Sequence, residues 1–203
     1  MSQTNHAGTG ATGSIGGIGT GGVAWSNPGN IISSNNVYAT VNLSNTNTSA
    51  QALVATNFGF DVPIHSTIDG VVATFQRKAS ADNVIRDSHI YLVYNNTLIG
   101  NNKISAPAYW STVEGDVSFG GPADNWGATL TSSIVQDSSF GVLTDAIWQN
   151  AYTGTEIASV DSVVITLYYT VNYWNKYGSS NIVKIYYGAT QVARVYYGSA
   201  RVA

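Results

Sequence analysis

The residues of this chain that could do chemistry are few and far apart. The three histidines are His6, His65 and His89. None stands in an H-x-H or HExxH spacing, and a zinc site draws three or four such ligands together. The absence of cysteine removes thiolate sites and disulfides. Only two glutamates, Glu114 and Glu156, accompany nine aspartates. Glycoside hydrolysis needs two carboxylates facing each other across a bond, and no such pair is identified by spacing. Glu114 and Asp116, two apart in VEGD, share a face if extended, and with backbone carbonyls they form a candidate Ca²⁺ site. Asp124 in GGPADNWG is a further candidate. The competing reading makes Pro122, Asp124, Asn125 and Gly127 turn formers. No GxSxG elbow occurs. Gly8, Gly10 and Gly13 satisfy GxGxxG, but a dinucleotide loop follows a strand and opens a helix, and no strand-forming run precedes these glycines. No catalytic residue, metal or cofactor is assigned, and the chain is not expected to be an enzyme.

Aromatic residues remain. There are five tryptophans (Trp25, Trp110, Trp126, Trp148 and Trp174) and 13 tyrosines. At least three of the tryptophans are expected in a core. Exposed Tyr and Trp suit a sugar-stacking platform or the anchors of a protein interface. Charged residues make up only 9% of the chain, against about 25% in an average soluble protein. Ser, Thr, Asn and Gly fill the polar positions. This composition favours strands and turns. Net charge is −3, with no Lys/Arg cluster of the kind that neutralises phosphates, so nucleic acid is not an expected partner. No apolar run reaches 18 residues, so no membrane-spanning helix is expected.

Three segments must position whatever site exists. Residues 1–22 hold eight glycines and read as a Gly/Ser/Thr-rich arm with too little apolar surface to fold alone. Such an arm is ordered by docking, either on its own domain or on a partner subunit. The partner-docked strap is the favoured reading, with Ile15 and Ile18 as contact residues. Residues 23–172 read as one all-β domain, an antiparallel β-sandwich or jelly-roll-like fold. VYATVNL (37–43) alternates Val37, Ala39, Val41 and Leu43 against polar partners. GVVATFQRKA (70–79) is a strand expected to surface at Arg77 and Lys78. SHIYLVY (88–94) and TLIG flank a tight Asn95-Asn96 turn. SFGVLTDAIW (139–148) and SVDSVVITLYYTV (159–171) complete the run. A short helical turn is expected near 131–137, capped by Thr131 or Ser132.

Residues 173–203 repeat in tens: WNKYGSSNIV, KIYYGATQVA, RVYYGSARVA. The Tyr-Gly steps align, as do Ile182, Val192 and Val202. Thirty such residues cannot build a core of their own, and exposed strands invite addition of another. Ile185, Tyr186, Tyr187, Val192, Val195, Tyr196, Tyr197 and Val202 are therefore the expected interface residues of a C-terminal decapeptide β-repeat.

Ala24–Ile31 (AWSNPGNI), Phe58–Ser80, Phe119–Leu130 and Ser159–Thr170 together resemble a β-sandwich domain of bacteriophage virion structural proteins. The tail YGATQVARVYYGSARV resembles short repeats that end such proteins. The resemblance implies a capsid decoration protein or head fibre on the particle exterior. Such a protein would be a homo-oligomer, with a trimer favoured, and would attach to the major capsid protein or other virion proteins. The alternative is a tail fibre or adsorption module that takes host surface glycan. The resemblance carries no catalytic residues.

Overall fold

The computed structural model describes residues 1–46, 48–106, 108–149 and 154–172, together with the backbone of four short strands between 186 and 202. The chain divides into two compact units, Met1–Asn172 and Tyr173–Ala203.

The first unit is all-β, an antiparallel β-sandwich with two five-stranded sheets. Its strands are β1 (Ser2–His6), β2 (Thr9–Gly13), β3 (Ala39–Ser44), β4 (Ala52–Thr56), β5 (Thr67–Ala79), β6 (Ile85–Tyr94), β7 (Thr97–Ile99), β8 (Gly115–Gly121), β9 (Gly141–Trp148) and β10 (Thr155–Thr170). One sheet runs β1-β10-β5-β8, and β3 also pairs with β10; the other runs β2-β4-β9-β6-β7. Strand β10 shows how sequence sets the layers. Val163, Ile165, Leu167 and Tyr169 are buried between the sheets, while Val164, Thr166, Tyr168 and Thr170 face outward, as a period of two requires. In β3, Ala39, Val41 and Leu43 are buried, whereas Val37 lies before the strand and is exposed.

Turn chemistry fixes the connections. Asn95 and Asn96 both take positive φ (48° and 57°), which closes the β6–β7 hairpin and matches the type I′ requirement. Helix α1 (Ser132–Gln136) starts at Thr131, whose hydroxyl accepts from the Ile134 N–H at 3.2 Å, the usual N-cap bond.

The first 22 residues depart from the expected arm. They are built into the sandwich of their own chain. β1 pairs with β10 over Ser2–His6, and β2 pairs with β4 over Thr9–Gly13. The chain therefore changes sheets at Ala7-Gly8. There, any side chain larger than hydrogen at Gly8 would meet the Asn57 carbonyl, so glycine permits the crossing. The expectation for Ile15 and Ile18 is corrected with it. The two exchange backbone hydrogen bonds (3.0 and 3.2 Å) and are buried on the outer face of the second sheet against Ala52, Val93 and Leu143. Their neighbours in sequence, Leu53, Leu92 and Val142, point the other way into the main core. Low-complexity composition hid this because the segment needs only two isoleucines to cover its patch. Its strands gain most from backbone pairing, which any composition can supply.

The second unit is described by its backbone alone. β11 (Tyr186–Tyr187) pairs with β12 (Thr190–Gln191), and β13 (Val195–Tyr197) pairs with β14 (Ala200–Val202).

Candidate functional site

Six of the eight tail residues expected at an interface lie in these hairpins. Tyr186 is opposite Gln191, Tyr187 opposite Thr190, Val195 opposite Val202, Tyr196 opposite Arg201 and Tyr197 opposite Ala200. Ile185 and Val192 fall outside the described residues, as does Trp174. Each hairpin spans one decapeptide, and the residues between its paired strands are Gly-Ala and Gly-Ser, the Gly-first pattern of two-residue hairpin loops. Two or three residue pairs are too few for an isolated hairpin to persist in water.

Charge separates the two units. Residues 173–203 contain Lys176, Lys184, Arg194 and Arg201 and no acidic residue; the other four basic residues share 1–172 with all eleven acidic ones. The tail is therefore +4 and the sandwich −7.

A second feature lies in the sandwich. β8 ends its sheet with its far side unpaired among the described strands. Beside it is a cleft of about 350 Å³ whose walls include Arg77, Tyr109, Trp110, Val113, Asp116 and Val117. Arg77, expected to surface, is instead 5% exposed. The cause is a partner across the core. Both terminal nitrogens of Arg77 meet the carboxylate of Asp87, with Nη2–Oδ2 at 2.6 Å. The guanidinium lies 4.4 Å over the Trp110 ring. Trp110 Nε1 and Thr144 Oγ1 also donate to Asp87, at 3.2 and 3.3 Å. Burial pushes the Asp87 carboxyl above the usual carboxylate range, partly offset by the charge and hydrogen bonds of Arg77 and by Trp110 and Thr144. Arg77 Nε, by contrast, is buried without a partner.

The register of β6 slips between Asp87 and Ile90. Asp145 holds this bulge by accepting from the backbone N–H groups of Ser88 (3.1 Å) and His89 (2.7 Å) and by meeting His89 Nδ1 at 2.7 Å. A carboxylate so engaged orients a loop; no hydroxyl nucleophile is hydrogen-bonded to this histidine among the described contacts.

The other sequence candidates are dispersed. No group of three His, Cys, Asp or Glu able to hold a metal occurs among the described residues. Glu114 lies 3.8 Å from Lys78, and Asp116 lines the cleft. Asp124 pairs with Lys103 at 2.7 and 2.8 Å and accepts from the Trp126 N–H at 2.8 Å, as a turn former does. Trp25, Trp110, Trp126 and Trp148 are all buried. His6 lies in β1, and His65 takes positive φ in the loop before β5.

No family model matches the chain, and no curated protein matches it. Among solved structures, one described as "CBM4 structure and function" is similar at a TM-score of 0.35 and 12% identity. The match covers 80% of this chain and 92% of that chain. A likeness this distant says nothing about ligand or activity.

Proposed function

We propose that the chain is a bacteriophage virion structural protein, a capsid decoration protein or head fibre displayed on the particle exterior. In this reading the sandwich is the displayed body and residues 173–203 are the assembly module, joining copies of the chain, with a trimer favoured, and engaging the capsid. The observation that carries it is the tail: repeated hairpins too short to persist alone. Its uniform positive charge beside an acidic body supports docking on an acidic surface, such as a neighbouring copy. The resemblance of the central stretches to virion sandwich domains supplies the particle. With β1 and β2 committed to their own sandwich, the tail takes over the attachment role expected of the N-terminal arm.

Sedimentation velocity of the full chain and of a chain ending at Asn172 tests the assembly half of this reading. The full chain sediments as a salt-sensitive oligomer and the shortened chain as a folded monomer. A full chain that is monomeric at all concentrations would refute it.

A further inference from the structure

We infer that the free edge of β8 is the acceptor for the C-terminal hairpin β13–β14 of a neighbouring copy, which adds to it as a further strand pair. This deepens the assembly reading and rests on it. Among the described strands, the other sheet edges are guarded. Beside β1, Asn5 Nδ2 donates to the carbonyls of Phe58 and Gly59 (2.7 and 3.1 Å), and Gln3 Oε1 accepts from the Asp61 N–H (3.1 Å). On β2, Thr12 Oγ1 accepts from the Trp25 N–H at 3.2 Å. On β3, Thr40 exchanges two backbone hydrogen bonds with Ser26 (2.7 and 3.0 Å). β7 has only three residues, and its Leu98 packs against the patch under Ile15 and Ile18. β8 runs for seven residues, and its first four are exposed on both faces. An antiparallel strand directs alternate N–H and C=O groups to its far side, so this edge is open to strand addition.

Charge selects the occupant. Asp116 makes no ion pair among the described residues, and Glu114 precedes the strand. Arg77 beside them is neutralised by Asp87. Residues 194–203 carry Arg194 and Arg201 and no acid, so this hairpin brings the opposite sign. A second β8 is the competing occupant. Antiparallel pairing centred on Val117 would set the two Asp116 carboxylates diagonally across one face, where like charges repel. It would also give an isologous dimer, whereas tail-to-body addition is heterologous and can close a ring of three. The hairpin gains too, because strands joined to a larger sheet persist where two alone do not.

The chain has no cysteine, so cross-linking between introduced ones is unambiguous. Full chains carrying Ser118→Cys and isotopically labelled full chains carrying Ala200→Cys are mixed, allowed to exchange subunits and treated with a short bismaleimide. The expected product is the 118–200 conjugate between the two chains, with Asn42→Cys in place of Ser118→Cys giving none. Asp116→Lys, at an exposed position, should leave the melting curve unchanged and raise the concentration for half-association about fivefold or more. An oligomer that yields only 118–118 or 200–200 products, that cross-links equally through Asn42→Cys, or whose association is unaffected by Asp116→Lys would overturn the β8 acceptor while leaving the assembly reading intact. A full chain that is monomeric at all concentrations would overturn both.

Discussion

Arg77 and Asp87 meet across the sandwich from opposite sheets. Arg77 stands on β5 of one sheet and Asp87 on β6 of the other, and neither is more than 5% exposed. The pair ties the two layers at the end where the chain crosses between them, and it forms the floor of the cleft beside β8.

Breaking the pair and replacing it should have opposite consequences. Arg77→Met strands a buried carboxylate and is expected to cost about 3–5 kcal/mol, whereas Arg77→Met with Asp87→Leu should be near neutral or stabilising. Urea unfolding of the two variants checks this. The single variant also carries a pH signature. Without Arg77, only the hydrogen bonds from Trp110 and Thr144 oppose burial, so the folded-state pKa of Asp87 rises further above its unfolded value. The folded state then binds a proton that the unfolded chain releases, and the deficit should shrink as pH falls toward about 4 and grow above it.

Asp124 has the opposite sign. Burial raises its pKa, but hydrogen bonds from Lys103 and the Trp126 N–H and the Lys103 charge outweigh this and hold it below the usual range. Its contribution is present above the unfolded pKa and is lost as pH falls through about 4 and below. Asp124→Asn should lower stability by about 1 kcal/mol or less at neutral pH, as for a partly exposed pair, and flatten the acid limb of the stability–pH profile.

Trp126 is fully buried and donates Nε1–H to the Val71 carbonyl at 2.9 Å. Trp126→Phe leaves that acceptor unmet and should cost about 1–3 kcal/mol, before any cavity contribution. Equilibrium unfolding followed by circular dichroism measures it.

Deleting residues 1–13 separates the built-in strands from a docked strap. Removal exposes the edges of β10 and β4 and uncovers the core beside Ala7. The shortened chain should lose its cooperative thermal transition or aggregate. An unchanged melting curve would mean that these strands are dispensable to the body.

Much of the sandwich was legible in the sequence because burial there follows a period of two. The faces of β10, the Asn95-Asn96 hairpin and the Thr131 cap are all local signals. What was not legible depends on partners distant in sequence. Nothing near Arg77 announces that Asp87 will meet it across the core, so a charge near a strand end read as a surfacing strand. Ile15 and Ile18 lie among glycines whose composition imitates a linker, and only the outer face formed by Ala52, Val93 and Leu143 shows what they cover. The cleft is assembled from β5, β8 and the 108–113 loop, and no single stretch contains its pattern. The repeat in the tail was plain at sight, since the period is printed in the chain.

The most direct measurement of the central claim, that the chain is a phage virion protein, is quantitative mass spectrometry of purified phage particles from the proposed source, carrying either the full gene or one ending at Asn172. The account predicts the full chain in stoichiometric, externally protease-accessible copies, and the shortened chain folded in the lysate but missing from the particles. Particles without the full chain, or particles that retain the shortened chain in equal number, would contradict it.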